Sequence, residues 1–522
     1  MISHILYFFV QLLFNFLSFL FEIFVRIFYS ISTIKSPTGK PVFVTFDFKK
    51  PISEVSDKYL SFAIEIPYIL GGHRWNTTGT LEFRSGKEKS IPLDLTIKKL
   101  QILTAALSPA YLRIGGTEAD NVIFNDVYGK KYQLNLTKQL WDNVNVFVKK
   151  TNLNLFFTVN AGPLVRNSQH QWQSANFENL LLYSKERGHD LSVFELGNEL
   201  NAFWYFHGFF NKITLKQYFS DFKKFEQIIK KYYPHAKTAG PSTIYWPRIG
   251  EALSFVGNIT SRFIKNKKNG ANIFTWHYYP QQSDRCPITF PKAKHRLLLN
   301  PQYLNDISKW ASELSLLKDK HNPQLEVWLG EVGNALCGGQ PGISDTFESS
   351  LWWTDVLGLM ATMKQRVIVR QNLVGSTYSL LDRKSFNPLP DFWASLLWKK
   401  VMGIEVYKVH NSDDNPYIRT YAHSTNRELN YGINSIAVLF INLENKKNYV
   451  ILKNINTDGA IIYQLTAKNI NDKSIFLNNK LLNLKRGTVP VIKGKPIEIK
   501  MKKINLVPFS INYFIFPFAK IK

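Results

Sequence analysis

The sequence predicts an α/β chain in which a (β/α)8 TIM barrel precedes a C-terminal β-sandwich domain that also takes an N-terminal strand. Two patterns predict this fold class. From about residue 60, eight short apolar runs alternate with longer amphipathic stretches, which is typical of repeated βα units. After about residue 403 the helical spacing stops and short alternating segments follow. An open doubly wound sheet is the alternative to a closed barrel.

The eight apolar runs are the predicted barrel strands. They begin at Ser61, Tyr111, Leu153, Leu191, Lys237, Asn272, Leu325 and Val367. Helix candidates lie between them, such as TLKQYFSDFKKFEQIIKKYY, whose apolar residues keep the spacing of one helical face. Eight strands with intervening helices are the number that closes this kind of barrel.

The segments after the barrel predict a β-sandwich. They include YIRTYAHS, SIAVLFINLEN, YVILKNI, AIIYQLTA and SINYFIFPF, and the early run PVFVTFDF is expected to join the same sheet. The predicted boundaries are residues 1–34 for a hydrophobic anchor or signal-like segment, 35–59 for the N-terminal strand, 60–402 for the barrel and 403–522 for the sandwich.

The N-terminal segment, residues 5–31, is an apolar run interrupted at four positions. It lacks a basic start and a small-residue cleavage site, so it predicts membrane association through a retained anchor, with a cleaved signal peptide as the open alternative. The positive charges on its C-terminal side would place the body in the cytoplasm. An extracellular substrate would instead require a secreted or lysosomal chain, and an interfacial helix is a third alternative.

The charge balance predicts an acidic partner. Lys plus Arg number 65 against 39 Asp plus Glu, a formal net charge of +26. Such a field attracts polyanions, but no zinc-finger spacing, RNP-like strand or basic heptad accompanies it, so we expect no nucleic acid partner. The two cysteines, Cys286 and Cys337, form neither a disulfide framework nor a metal-ligand cluster, and whether they are bonded to each other stays open.

Two predicted strands end in carboxylates. LSVFELGNE ends with Glu199, and LEVWLGE ends with Glu331. Catalytic groups of such barrels stand at the C-terminal strand ends, and a carboxylate that closes an apolar strand is costly unless it is paired or functional. Two carboxyl groups about 5–5.5 Å apart would suit glycosidic cleavage through a covalent intermediate. A salt-bridged strand end is the plain alternative for each Glu alone.

Five ordered motifs resemble heparanase-type enzymes of glycoside hydrolase family 79. They are PAYLRIGGTEADNVIF, FELGNELNAF, VWLGEVGNALCGGQPGISDTFESSLWWTDVLGLMA, RQNLVGSTYSLLD and FNPLPDFWASLLWKKVMG. The resemblance covers nearly everything from about residue 41 onward. It implies a retaining endo-β-glucuronidase without metal or other cofactor, and heparan sulfate or a similar anionic polysaccharide as substrate.

Carried over by the resemblance, Glu199 is the general acid/base and Glu331 the nucleophile. The charge of Glu331 is expected to raise the proton affinity of Glu199. Tyr278 is expected to contact the nucleophile, with Tyr279 as the alternative, and His277 to be structural. The other expected substrate-site residues are Arg113, which holds Glu331 ionised, Asn198 at the sugar 2-hydroxyl, Thr117, Gly375 and Tyr378 at the uronate carboxylate, and Glu65 where the family has an aspartate.

A polyanion groove is expected beside this pocket. Lys130, Lys131 and Arg248, with Arg285 as a further candidate, are the basic residues that the resemblance and the charge pattern place there. Two alternatives to endo cutting stay open. One is an exo-β-glucuronidase of the same family, and the other is a catalytically silent relative that only binds heparan sulfate.

Overall fold

The structure is a computed structural model. It describes Leu20 and residues 41–73, 89–126, 133–208, 211–247, 250–251, 258–286, 292–412, 415–431, 435–457, 459–517 and 520–521. Residues 5–31, on which the predicted membrane anchor falls, lie outside the described residues apart from Leu20. Within the described ranges, no helix is both long and apolar enough to cross a membrane.

A closed parallel barrel forms the centre of the described chain. The first strand, β1 (Val42–Asp47), belongs to the second domain. The barrel strands are β2 (Leu60–Glu65), β3 (Tyr111–Gly115), β4 (Asn154–Val159), β5 (Val193–Leu196), β6 (Lys237–Trp246), β7 (Ile273–Tyr278), β8 (Glu326–Val332) and β9 (Val367–Arg370). Each strand pairs in parallel with its sequence neighbours, and β9 pairs with β2, which closes the ring. The closed barrel is confirmed, and the open sheet is excluded.

One long helix follows each barrel strand within the described chain. These helices are α1 (Lys98–Ala105), α2 (Lys138–Lys150), α3 (Ala175–Glu186), α4 (Leu215–Tyr232), α5 (Ile259–Lys265), α6 (Pro301–His321), α7 (Phe347–Thr362) and α8 (Pro390–Val401). Their ends carry local signals. Thr137 and Thr214 accept the capping N–H bonds of α2 and α4, and Asn300 caps α6 ahead of Pro301. Short helical turns occur at Pro67–Leu70 and Phe203–Phe206.

The barrel interior changes from apolar to charged along its axis. One layer is apolar and consists of Ala63, Phe156, Val193, Ala239, Ile273, Trp328, Val367 and Val369. Two residues further along their strands, inward positions carry Thr158, Glu195 and Thr275 instead, and all three are fully buried. Since inward positions recur every second residue, a strand that places Val193 inside also places Glu195 inside. The polar layer therefore rests on a packed apolar floor.

The second domain is a mostly antiparallel sheet folded into two layers. Its strands are β1, β10 (Met402–Asn411), β11 (Ile418–Thr425), β12 (Ile436–Asn442), β13 (Asn448–Leu452), β14 (Gly459–Thr466), β15 (Lys495–Glu498), β16 (Lys503–Leu506) and β17 (Ser510–Phe516). β1 pairs antiparallel with β10 and parallel with β13. Buried residues of β1 and β13 share one apolar cluster with those of β11, β12 and β17. The expected β-sandwich with an N-terminal strand is confirmed.

Two-residue strand segments extend these sheets or form small ones beside them. They are Ser53–Glu54, Gly72–His73, Lys89–Ser90, Gly250–Glu251, Ile455–Asn456, Phe476–Leu477, Lys480–Leu481 and Lys520–Ile521, and the three-residue strands Val122–Phe124 and Leu134–Leu136 pair with each other.

Helix α7 joins the two domains. It is buried on nearly all sides because the barrel covers one face and the sheet of β11, β12 and β17 covers the other. Asp355 on this helix accepts hydrogen bonds from Arg419 at 2.7 Å and from the Tyr421 hydroxyl at 2.6 Å. Gly358 leaves room for the Tyr421 ring, because a Cβ at that position would lie 2.2 Å from the ring. The sandwich thus holds the barrel from the side of α7.

Candidate active site

The two carboxylates singled out by the sequence face each other at the barrel mouth. Glu199 follows β5, and Glu331 lies next to the end of β8. One oxygen of each, together with a ring nitrogen of His277, lie within 4.8 Å of one another. Both carboxylates are almost fully buried, with 4% and 5% of their surface exposed. The structure therefore brings together two acidic groups from strands that are not neighbours in the barrel.

A buried arginine links Glu331 to the charged layer below it. Arg113 on β3 is 0% exposed. Its Nη1 donates to Glu331 Oε1 at 2.5 Å, while Nε and Nη2 donate to Glu195 Oε2 at 3.0 and 2.7 Å. Burial would lower the pKa of Arg113, but the two carboxylates raise it above its ordinary value. One guanidinium thus binds both carboxylates and fixes their relative position.

Glu195 is the partner that holds this arginine in place. Burial would raise the pKa of Glu195, but Arg113, His277 and the Thr275 hydroxyl hold it below its ordinary value. The hydroxyls of Thr158 and Thr275 donate to its oxygens at 2.9 and 2.7 Å. Because every bond to Glu195 comes from a donor, it is suited to be an ionised carboxylate.

The tyrosine that contacts Glu331 is Tyr279, not Tyr278. The Tyr279 hydroxyl donates to Glu331 Oε2 at 2.8 Å. Tyr278 belongs to the apolar cluster between barrel and helices, and its ring lies 6.3 Å from that of Trp276. The expectation for Tyr278 is corrected by strand alternation: Thr275 and His277 point inward, so position 278 faces the helices and position 279 faces the mouth.

His277 lies between the two carboxylates rather than in a purely structural place. Its Nδ1 is 3.0 Å from Glu199 Oε1 and 3.7 Å from Glu331 Oε2, and its Nε2 is 2.8 Å from the Ser242 hydroxyl. The ring lies against Gly330, where a Cβ would be in ordinary van der Waals contact with Nε2 at 3.4 Å. A shift of the β7–β8 register just before His277 puts Glu331 beside it.

The ionisation of Glu199 is displaced toward the protonated form. Burial raises the pKa of Glu199, the contact with His277 opposes this, and the charge of Glu331 raises it further. Burial also lowers the pKa of His277, which favours the neutral ring. The sequence predicted the direction of the Glu199 shift, but it assigned the cause to Glu331 alone, whereas burial is the largest cause.

Glu199 stands on a turn with unusual backbone angles. Gly197 has φ +74°, and Glu199 itself has φ +53°. The left-handed conformation costs a residue with a side chain roughly 1 kcal/mol or more. Asp120 contacts this turn, since its Oδ2 accepts the backbone N–H of Asn198 at 2.9 Å. The side chain of Asn198 also accepts from Arg113 Nη2 at 2.9 Å.

Comparison with known proteins shows the family to which this chain belongs. The model of "Glycosyl hydrolase family 79, N-terminal domain" matches residues 82–358, which is more than half of the chain. The chain belongs to glycosyl hydrolase family 79. It is 28% identical to Bos taurus heparanase, with 93% of each chain covered. It is 26% identical to heparanase-like protein 1 of Arabidopsis thaliana and 24% identical to inactive heparanase-2 of Homo sapiens, with 83% and 90% of this chain covered and 86% and 87% of those proteins.

Solved structures share the fold of this family 79 chain. A 4-O-α-L-rhamnosyl-β-D-glucuronidase from Fusarium oxysporum has a TM-score of 0.63 at 14% identity, covering 90% of this chain and all of that chain. An α-L-arabinofuranosidase from Thermotoga maritima has a TM-score of 0.62 at 13% identity, covering 91% of this chain and 99% of that one. At such identities the likeness extends to the fold alone.

The residues expected around the uronate ring lie on neighbouring strand ends of this family 79 barrel. Glu65 ends β2, where it accepts bonds from Gln371 at 3.1 Å and from Asn372 and Ser376 at 3.4 Å. Thr117 begins the turn after β3 and follows Gly116, where a Cβ would lie 3.8 Å from the Glu65 Cγ.

The loop after β9 carries the remaining two expected residues. Gly375 has φ +128°, and its carbonyl accepts from the Tyr68 hydroxyl at 2.6 Å. The Tyr378 ring centroid lies 6.4 Å from that of Tyr279, which places Tyr378 beside the hydrogen-bond partner of Glu331. A Cβ at Gly333 would come within 2.9 Å of Tyr279 and 3.1 Å of Tyr378, so a glycine is needed there.

The basic groove residues are only partly placed. Lys130, Lys131 and Arg248 lie outside the described residues. Arg285 is half-buried, and its Nη2 donates to the Thr377 hydroxyl at 2.6 Å. Arg285 therefore contacts the residue that precedes Tyr378, and this bond links the loop after β7 to the loop after β9.

Cys286 and Cys337 form a disulfide between the loops that follow β7 and β8. Tyr279 begins the first of these loops, and Glu331 lies one residue before the end of β8, ahead of the second. The two loops also pair through Ser283 N–H to Leu336 O at 3.2 Å and Leu336 N–H to Gln281 O at 2.8 Å. Phe206, from the segment after β5, packs on the two cysteines. The sequence left this pair open because residues 51 positions apart give no local sign of proximity.

Glu199, His277 and Glu331 are also the group of described residues that could hold a metal ion by distance. Glu331 already accepts from Arg113 and Tyr279, and a cation in that position would face the guanidinium at close range. The expectation that no metal takes part remains a prediction.

The sequence missed His277, Glu195 and Asp120 as parts of the site. Glu195 and His277 each stand an even number of positions from an inward residue of their own strands, which is a usable signal. Asp120 lies in the turn after β3 and gave no periodic signal.

Reduction of the Cys286–Cys337 bond should destabilise the fold without abolishing it. The full chain, purified without reductant, should release no thiol on denaturation and two after reduction, since it has two cysteines. The double variant Cys286→Ser, Cys337→Ser should lose roughly 4 kcal/mol of unfolding free energy, the chain-entropy value for a closed loop of about 50 residues. Denaturant unfolding measures this loss.

Adding reductant to the double variant is the control, and it should change nothing. Free thiols in the unreduced chain would contradict the assignment.

Proposed function

We propose that this family 79 chain is a retaining β-glucuronidase that cleaves glucuronidic bonds within heparan sulfate or a related acidic glycosaminoglycan. The observation that carries the proposal is the short separation of the Glu199 and Glu331 oxygens, at most 4.8 Å. Retaining glycosidases hold their carboxyl groups about 5–5.5 Å apart, while inverting enzymes need about 6.5–9.5 Å to admit water. The separation favours direct attack by one carboxylate.

Glu331 is the proposed nucleophile. Its Oε1 accepts from Arg113 and its Oε2 from Tyr279, so both oxygens are hydrogen-bonded as an ionised carboxylate requires. These donors also fix the plane of the carboxylate, which keeps the attacking oxygen in one orientation. In the first step Glu331 bonds to the anomeric carbon as the glycosidic bond breaks.

Glu199 is the proposed acid and then the base. In the first step it gives its proton to the leaving oxygen, and its raised pKa, caused mainly by burial, keeps that proton available. Once Glu331 is glycosylated its negative charge is gone, so Glu199 ionises more readily. It can then take a proton from the water that hydrolyses the intermediate, which restores both carboxyl groups.

Asn198 is the proposed ligand of the sugar 2-hydroxyl. Its Oδ1 accepts from Arg113, so Nδ2 is the group left to donate to a sugar oxygen. Hydrogen bonds to this hydroxyl strengthen in the oxocarbenium-like transition state. Arg113 would thereby orient both the nucleophile and this ligand.

An acidic sugar chain is the proposed substrate. The chain is 28% identical to a protein named heparanase over nearly its whole length, and its formal net charge is +26. Thr117, Gly375 and Tyr378 are proposed to meet the uronate carboxylate, and Arg285, bonded to Thr377, is proposed to add a cation beside them. Lys130, Lys131 and Arg248 are proposed to extend the groove, and association with a membrane through residues 5–31 is proposed as well.

Digestion of heparan sulfate with the full chain tests the proposal. Size-exclusion chromatography should show oligosaccharides, which is the endo outcome, and 4-nitrophenyl β-D-glucuronide should release nitrophenol. Glu331→Gln should lower kcat by roughly 10⁵-fold or more, as loss of a covalent nucleophile does in other enzymes, while polysaccharide affinity stays nearly unchanged.

The matched control is Glu326→Gln, the same change on the same strand. Glu326 lies at the opposite end of β8 and pairs with Lys237 at 2.6 Å, so activity should remain within about twofold. Release of glucuronic acid as the single product would show exo cleavage and contradict the proposed endo cleavage. Binding of heparan sulfate without any product would contradict the proposed activity. It would favour the alternative of a silent binding protein, as the name of the relative inactive heparanase-2 suggests for that protein.

The fall of kcat/KM at high pH should follow the ionisation of Glu199. Its protonated form is the active acid, and its pKa is raised above the ordinary glutamate value of about 4.3. Activity should therefore persist above the pH at which an exposed glutamate would ionise, and it should fall as pH rises through the raised pKa. Initial rates on an aryl glucuronide across pH 3–9 measure this.

With Glu199→Gln and a dinitrophenyl glucuronide, whose leaving group needs no acid, the alkaline fall of kcat/KM should disappear. Persistence of the same fall in that variant would assign the titration to another group.

A further inference from the structure

The turn that carries Glu199 is held from below by a buried carboxyl group. Asp120 is 0% exposed and lies on the helical turn Thr117–Asn121 that follows β3. Its Oδ1 accepts the backbone N–H of Ala161 at 2.8 Å, and its Oδ2 accepts that of Asn198 at 2.9 Å. Asp120 therefore ties together the ends of β3, β4 and β5.

The backbone around Asp120 is shaped to let these groups approach. A Cβ at Gly162 would lie 2.1 Å from the Asp120 carbonyl oxygen. A Cβ at Gly197, whose φ is +74°, would lie 3.0 Å from the Ala161 Cβ and 3.6 Å from Asp120 Oδ1. The two glycines leave space that side chains would fill, so the carboxyl reaches both N–H groups directly.

Burying a carboxyl group costs free energy of folding unless hydrogen bonds or charges compensate for the lost water. His207 Nε2 lies 3.9 Å from Oδ2, but burial lowers the pKa of His207 to about 4, so the ring carries little charge at neutral pH. Burial raises the pKa of Asp120 itself to about 7. Arg166, whose guanidinium pairs with Asp221 at 2.8 Å, and Glu195 are the further charged groups that act on Asp120.

The backbone group that Asp120 binds lies next to the proposed acid/base Glu199 in the sequence. Asn198 N–H is the group that Asp120 fixes, and Glu199 is the next residue, in the left-handed conformation at φ +53°. A turn with a left-handed glutamate relaxes toward commoner angles unless its neighbours hold it. Relaxation would swing the Glu199 carboxyl away from the leaving oxygen, whereas Glu331, fixed by Arg113 and Tyr279, would keep its place.

We infer that Asp120 is a positioning residue for proton donation by Glu199, acting through the backbone of Asn198. The inference rests on the proposed function, since it needs Glu199 to be the acid. It assigns Asp120 no contact with the substrate. Its effect should therefore appear in the step that needs an acid and not in attack by Glu331.

Two aryl β-glucuronides separate these steps. Phenyl glucuronide has a poor leaving group that needs a proton, and 2,4-dinitrophenyl glucuronide has a good one that does not. For Asp120→Asn and Asp120→Ala in the full chain, kcat/KM should fall about 10- to 100-fold on the phenyl substrate, within the range that general acid catalysis contributes. On the dinitrophenyl substrate it should fall less than about threefold.

The ratio of the two kcat/KM values is the decisive quantity, because a partly misfolded preparation lowers both by one factor and leaves the ratio unchanged. Asp355→Asn is the matched control, the same change at a buried carboxyl that bonds Arg419 and Tyr421 of the sandwich. Its ratio should equal that of the wild type, whatever its stability.

Glu199→Gln is the reference for complete loss of the acid, and it should change the ratio most. A ratio moved by Glu199→Gln but not by Asp120→Asn would overturn the inference and leave the proposed function standing. A ratio unmoved by Glu199→Gln, or a wild-type chain inactive on both substrates, would remove the proposed roles and the inference with them.

Discussion

A buried guanidinium organises the mouth of this barrel. Arg113 donates from Nε and Nη2 to Glu195 and from Nη1 to Glu331. One buried cation therefore offsets the charges of two buried carboxylates. A buried charge is tolerated when it is paired and hydrogen-bonded, and loss of one partner leaves the others uncompensated. The threonines that bond Glu195 and the tyrosine that bonds Glu331 complete this arrangement. The position of Glu331 depends on this arrangement, because Arg113 and Tyr279 each bond one oxygen of its carboxylate.

The rest of the molecule holds this network at the end of a rigid cylinder. An apolar layer fills the barrel beneath Arg113, and α7 packs the barrel against the sandwich. The Cys286–Cys337 bond fastens the loops after β7 and β8, and Phe206 brings the loop after β5 against them. Loops are ordinarily the mobile part of a barrel enzyme. Here the loops that follow β7 and β8, next to Tyr279 and Glu331, are bonded to each other, and Phe206 from the segment after Glu199 packs on that bond.

Much of the fold and the centre of the site could be predicted from the sequence. Apolar runs separated by amphipathic stretches gave the barrel, and carboxylates at two strand ends gave Glu199 and Glu331. The prediction that Tyr278 contacts Glu331 was wrong because it matched a motif by position. It ignored the two-residue period of the strand, which selects Tyr279. Glu195 lies in an apolar strand, and only a partner from another strand explains it. Neither the Cys286–Cys337 pair nor Asp120 could be predicted, because their contacts join segments far apart in sequence.

Covalent trapping tests the central proposal, that Glu331 attacks the sugar while Arg113 and Tyr279 hold its carboxylate in place. The full chain would be incubated with 2,4-dinitrophenyl 2-deoxy-2-fluoro-β-D-glucuronide, in which fluorine slows hydrolysis of the intermediate. Peptide mass spectrometry after proteolysis should then find one fluoroglucuronyl group per chain, in ester linkage to Glu331. A label on Glu199 or on any other residue would contradict the account, as would steady turnover of the unfluorinated substrate with inversion at the anomeric carbon.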